Sequence, residues 1–496
     1  MLAVLHIDAL SVPLADELSA AGRMPTFSEL RRRGEWHRLE TPAAHFPAAS
    51  YFSLLAGAEV GDHGLYFSFQ WSPREQRLRY RGDFEFPTTV WERLTDAGRR
   101  SLVLDPYEMG APSRLDGLAL SGWQYRNILS LERWAKPAGW ERPYEARLRR
   151  GPHMQEVFGR RSARALATLR QVTLDASQRI ASLAVDVLGR ERFDLAYLSL
   201  LGPHQAGHMF WDVSELDVDD AAKAEFESTL ADVYEEADRA LGRVLDALPD
   251  GTDVIVVSPL GMGPNTSLVD LAGPMLERVL ARGEGRKKRE SGQRIWRVRA
   301  SIPSPVRAAV ARVLGGSLAR EVTARLSTSG VDWSSTRAFL LPSDENGQVR
   351  LNLRGRERNG IVDPAQADEV LTEIADGLSS FRHGDGTPVA AAVERSQRLY
   401  SGAKADLLPD LVIRWSQVRQ SQVSVIESDR YGELVRMSGS GTGRNGAHTA
   451  DAWALVVPGT SQSRRPGRPA RVSDVAATIL AAQGLEAPSS AEPLLG

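Results

Sequence analysis

Short, predominantly apolar runs separated by longer amphipathic segments set the pattern of this chain, at residues 2–7, 101–104, 195–201, 254–257 and 452–457. Runs without polar alternation suit strands covered on both faces, which predicts a mostly parallel sheet flanked by helices. Helical periodicity extends over about 160–188 and about 221–248, each feeding an apolar run in the manner of a βαβ crossover. Nearer the N-terminus, Pro13 and the capping-box pattern Thr26-Phe27-Ser28-Glu29 mark helix starts. Asp8 follows the first run, so it falls at the carboxyl edge of the sheet, where open α/β sheets bind ligands.

The alternation fades over 265–336, which is read as an inserted cap or flap between a core of residues 1–264 and its completion by 337–496. Within the insertion, EGRKKRESGQRIWRVR (284–299) is strongly basic and is read first as a solvated face, with phosphate or partner binding as the alternative. Residues 349–362 read as a strand, a turn and a helix start, and VSDVAATILAAQGL (472–485) as a terminal helix.

Composition narrows the chemistry. With 61 Lys and Arg against 63 Asp and Glu, there is no global field to favour nucleic acid or an anionic membrane. No apolar run reaches the roughly 18 residues that a membrane span requires, and the first residues carry no leader pattern, so a cytoplasmic protein is expected. The absence of cysteine excludes disulfides, thiolate ligands and cysteine nucleophiles, leaving His, Asp and Glu to bind any metal.

Several phrases carry a resemblance: HIDAL, RMPTFSELRRRG, LLAGAEVGDHGLY, LLGPHQAGH, DVIVVSPLGMGP, LNLRGRERNGIV, LLPDLVI, NGAHTADAWALVVPG and VSDVAATILAAQGL. In order and approximate spacing they resemble the type I phosphodiesterase/nucleotide pyrophosphatase branch of the alkaline phosphatase superfamily, including its phosphohydrolase/phosphomutase-like members. The resemblance implies an alkaline-phosphatase-like α/β fold with two metals, commonly zinc, clamping a phosphoryl group that a Thr or Ser attacks.

Carried over residue by residue, Asp8 matches a ligand of the nucleophile-side metal. The Asp-His pair usual at that site is replaced by Pro259 and Leu260, which cannot coordinate a cation. The nucleophile position reads as His45 before Phe46-Pro47, or as Ser50 when counted back from Gly57; His45 is also a candidate base or ligand. The other metal's positions read His204, His208 and His448, with His204 in place of an Asp. Three neutral imidazoles suit one divalent transition metal, zinc first, with iron, manganese, copper and nickel also compatible. The i,i+4 spacing of His204 and His208 suits one helix face, although Gly207 weakens a helix there.

Outside that set, His6 is a candidate partner of Asp8 on the same strand face, and His63 a turn-stabilising residue. His37, His153 and His383 are expected at the surface or at caps, and Trp123, Tyr125, Trp134 and Trp140 line a pocket or pack the core. The leading expectation is a mononuclear three-His enzyme acting on a small anionic, phosphorylated or related metabolite. The alternatives are a two-metal phosphodiesterase or phosphatase completed by His45 and Asp8, and a non-catalytic binding protein. The oligomeric state stays open.

Overall fold

The first strand, Leu2–Ile7, is buried along its whole length. Leu2 and Val4 face one apolar layer, while Ala3, Leu5 and Ile7 face another. Covering on both sides is why this run shows no polar alternation. A computed structural model of the chain describes residues 1–127, 131–154, 161–281, 331–437, 441–487 and 491–495. Among them, eight strands form the main sheet in the order Glu35–Leu39, Ala452–Val457, Asp253–Ser258, Leu2–Ile7, Leu195–Leu200, Ser101–Leu104, Gly117–Ser121 and Trp134–Lys136. The five strands from Asp253–Ser258 to Gly117–Ser121 run parallel. Ala452–Val457 and Trp134–Lys136 pair antiparallel to their neighbours. This is the expected alkaline-phosphatase-like, mostly parallel α/β sheet flanked by helices.

Helices Ala163–Leu188 and Thr229–Asp246 pack on one face, and helices Pro47–Ala56, Val90–Asp96 and Asp474–Ala482 on the other. The periodic stretch at 221–248 is divided into Asp220–Phe226 and Thr229–Asp246. The expected capping box at Thr26 does not form. Helix Pro25–Arg33 starts two residues earlier, with Met24 at the N-cap and Pro at its first position, so Thr26 already lies inside the first turn. Its free amides are capped from elsewhere: the Asp238 carboxylate accepts from Thr26 N (3.0 Å) and Phe27 N (2.7 Å).

A second, antiparallel sheet of four strands runs Ala338–Leu341, Gly347–Leu351, Leu411–Trp415, Ala390–Arg395. Together with helices Val269–Ala281 and Ala367–Ser379 it encloses its own apolar cluster. After the strand Gly347–Leu351 the chain turns, and the next α-helix starts only at Ala367 rather than within 349–362. Of the segment read as a cap, residues 282–330, including the basic run, lie outside the described residues. Trp123 and Tyr125 are fully buried in the main core, and Trp134 and Trp140 pack against it. Among the described residues no helix is long and apolar enough to cross a membrane.

Because Asp238 satisfies two helix-terminal amides from a distant helix, Asp238→Ala is expected to lower the unfolding free energy by about 1–2 kcal/mol. Urea titration would register this as an earlier midpoint with an unchanged slope; an unchanged midpoint would deny the cap its role.

Candidate metal centre

The site is assembled at the carboxyl edge of the main sheet. Asp8 directly follows the first strand, its amide extending the ladder to Leu200 O at 3.0 Å. The next residue, Ala9, takes a left-handed φ of 53° and turns the chain away. The neighbouring strand Leu195–Leu200 leads into helix Gly202–Phe210, which carries His204 and His208 on one face. Gly207, which by propensity argues against a helix, sits tightly against Met262: a Cβ there would lie 2.7 Å from Met262 Cγ, so a larger residue would have to displace that side chain.

His448 arrives on the strand Gly446–Thr449, paired antiparallel with Gly261–Pro264 so that Met262 is opposite His448. Helix and strand touch backbone to backbone. Asn445 N donates to His208 O at 2.9 Å, and a Cβ on Gly446 would lie 2.1 Å from Gly207 O. Glycine at 446 is therefore the condition for bringing the third histidine to the other two.

The three rings converge through the same atom. Nε2 of His204 lies 3.0 Å from Nε2 of His208 and 3.1 Å from Nε2 of His448. Each Nδ1 faces an oxygen: Asp8 Oδ2 at 2.5 Å from His204, Gly446 O at 2.9 Å from His208 and Glu345 Oε1 at 2.8 Å from His448. These acceptors fix the proton on Nδ1 and direct all three Nε2 lone pairs at one point, as metal-ligating imidazoles require. Lone pairs so placed repel one another unless a proton or a metal cation lies between them, and the set of three nitrogens fits a metal ion.

The electrostatics agree. Burial, helped by Arg444 and the neighbouring rings, pushes His208 well below its ordinary pKa and keeps it neutral. Burial would also depress His448, but the Glu345 carboxylate outweighs it and raises that ring. Burial alone would raise Asp8; His204 and His6 instead hold it far below the usual carboxylate range. Asp8 is thus an acceptor at the back of the site, its Oδ1 also receiving Tyr51 OH at 2.8 Å and lying 3.3 Å from His6 Nε2. Tyr107 packs edge-on against His204, with ring centroids 4.9 Å apart.

The two candidates for the nucleophile position are engaged elsewhere. His45 meets Tyr400 OH through Nδ1 (2.9 Å) and Glu394 through Nε2 (3.1 Å). Ser50 is fully buried, 2.9 Å from Thr41 Oγ1, which in turn donates to the Pro259 carbonyl at 2.7 Å. Leu260 is fully buried in the main apolar cluster. His63 accepts from Leu65 N at 2.9 Å, the expected turn-stabilising bond. His37 and His383, expected at the surface or at caps, are buried instead, because one sits in the sheet strand Glu35–Leu39 and the other bonds Ser416 Oγ.

Residues missing from the sequence-based set are Tyr51, Thr41 and Glu345. Glu345 lies 103 positions from His448 in a short acidic loop, with no periodicity or motif to mark it.

The architecture is that of the alkaline-phosphatase-like class, and two solved structures share it. Phosphonoacetate hydrolase from Sinorhizobium meliloti 1021 aligns with a TM-score of 0.51 at 13% identity, over 97% of this chain and 95% of its own. Murine ectonucleotide pyrophosphatase/phosphodiesterase 5 aligns with a TM-score of 0.50 at 12% identity, over 100% of each chain. At such identities the likeness concerns the fold alone. Residues 2–440 match the family model for type I phosphodiesterase/nucleotide pyrophosphatase, and the chain belongs to that family of phosphoester hydrolases. No curated protein sequence matches it.

Since the Gly207–Gly446 contact brings the rings together, Gly446→Ala should separate helix from strand and abolish metal binding while the main sheet persists. Far-UV circular dichroism close to that of the parent, with bound metal reduced at least about tenfold, is the expected result. Parental metal content in the variant would show the contact to be dispensable.

Proposed function

We propose that this chain is a metal-dependent hydrolase of the alkaline phosphatase superfamily, working with one divalent transition metal, zinc first, on a small anionic metabolite. The observation that carries this reading is the convergence of three Nε2 atoms whose opposite nitrogens are each held by an oxygen. His204, His208 and His448 would hold the ion. When bound, it supplies a Lewis-acidic centre that polarises an oxygen of substrate or water.

The remaining residues support a single ion. Pro259 and Leu260 bring no ligand atom in their side chains to the family's other metal position, where Leu260 serves the core and the Pro259 carbonyl accepts from Thr41. His45, needed for a two-metal alternative, has both ring nitrogens engaged with Tyr400 and Glu394. Asp8 is committed to His204, Tyr51 and His6, which makes it an orienting base rather than a ligand. An anionic substrate is supported by Arg444, only 8% exposed, whose charge is felt at His208 and His448.

Metal analysis of protein purified without chelator is expected to give about one transition-metal ion per chain, and His208→Ala to lose most of it. Turnover of an aryl phosphate mono- or diester should fall by about 100-fold or more in the same variant. Equal metal content in parent and variant would end the three-histidine reading.

A further inference from the structure

Glu345 belongs to neither the main sheet nor the helices that bear the histidines. It lies in the connection between strands Ala338–Leu341 and Gly347–Leu351 of the small sheet, yet its Oε1 accepts from both the backbone N (3.0 Å) and the Nδ1 (2.8 Å) of His448. Its own backbone is held in turn, because the Glu345 carbonyl accepts from Ser267 Oγ at 2.6 Å and from Trp415 Nε1 at 2.7 Å. The next residue extends the clamp, with Asn346 Nδ2 donating to Ala44 O (3.0 Å) and His45 O (3.2 Å). The Glu345 side chain is only 12% exposed, so a carboxylate has been taken out of water to stand behind one imidazole.

Asp8 does the same behind His204, and a neutral carbonyl stands behind His208. Two carboxylates thus stand behind the converging rings, and their negative charge favours a cation between the nitrogens.

The geometry points to Glu345 as a positioning residue through which the small sheet completes the metal centre and sets its affinity for the ion. This rests on the three-histidine reading. A carboxylate there fixes the His448 tautomer, directs its Nε2 and increases its donor strength through the hydrogen bond. The main sheet alone brings His204 and His208 together with Asp8, but the third ring is aimed by a loop of the other sheet.

The test uses the full chain, stripped of metal and titrated with cobalt(II) against a competing chelator. The d–d absorption reports ligand geometry, and thermal unfolding of the metal-free proteins reports structure. Glu345→Gln, which can still accept through its amide oxygen but lacks the charge, should bind cobalt about 10–100-fold more weakly than the parent with a similar spectrum. Glu345→Ala should bind more weakly still, with an altered spectrum, while the metal-free midpoints stay close to that of the parent. If the alanine variant fails to fold, the near-isosteric glutamine decides. Parental affinity and spectrum in Glu345→Gln, with binding lost in His448→Ala, would overturn the role of Glu345 and leave the three-histidine site standing. Parental cobalt binding in His448→Ala would bring down the site itself, and with it this inference.

Discussion

Three imidazole lone pairs aimed at one buried point are unfavourable on their own, and the structure around them is arranged to enforce that convergence. Each ring is oriented from behind by an oxygen acceptor on a different element: the end of the first strand, the backbone entering the His448 strand, and a loop of the small sheet. An imidazole held at one nitrogen has little freedom left at the other. The enforced donor set is what makes a cation the natural occupant.

Backbone proximity makes the arrangement feasible. Helix Gly202–Phe210 lies against the strand Gly446–Thr449 closely enough that position 446 has no room for a Cβ, and the same approach lets the Gly446 carbonyl serve as the acceptor for His208. One steric allowance thus sets the spacing and supplies a hydrogen bond. The burial that results depresses His208 toward the neutral form, while Asp8 and Glu345 remain ionised behind the other two rings.

The other positions that the family resemblance marks are tied into the packing around the sheet. Where the family resemblance implies a second pair of ligands, Leu260 contributes to the apolar core and Thr41 joins Ser50 to the Pro259 carbonyl. His45 is drawn toward the small sheet by Glu394, which also accepts from Arg414 at 2.5 Å. These residues take part in packing and in the junction between the two sheets.

By itself the sequence determined the presence of the sheet's central strands, their burial on both faces and the placement of Asp8 at the carboxyl edge, because short apolar runs without polar alternation, each joined to a helical segment, suit strands covered on both sides. It also determined the chemistry available to the centre, since without cysteine the candidate ligands reduce to His, Asp and Glu. Local pattern misjudged Thr26, whose helix is capped by Asp238 from 212 residues away, and Gly207, which lies within helix Gly202–Phe210 closely packed on Met262. Only the tertiary structure decided that Asp8 backs a histidine, that His45 turns away, and that Glu345 aims His448. Hydrogen bonds between residues far apart in the chain leave no periodic trace in either segment, and they exist only once the two sheets have docked.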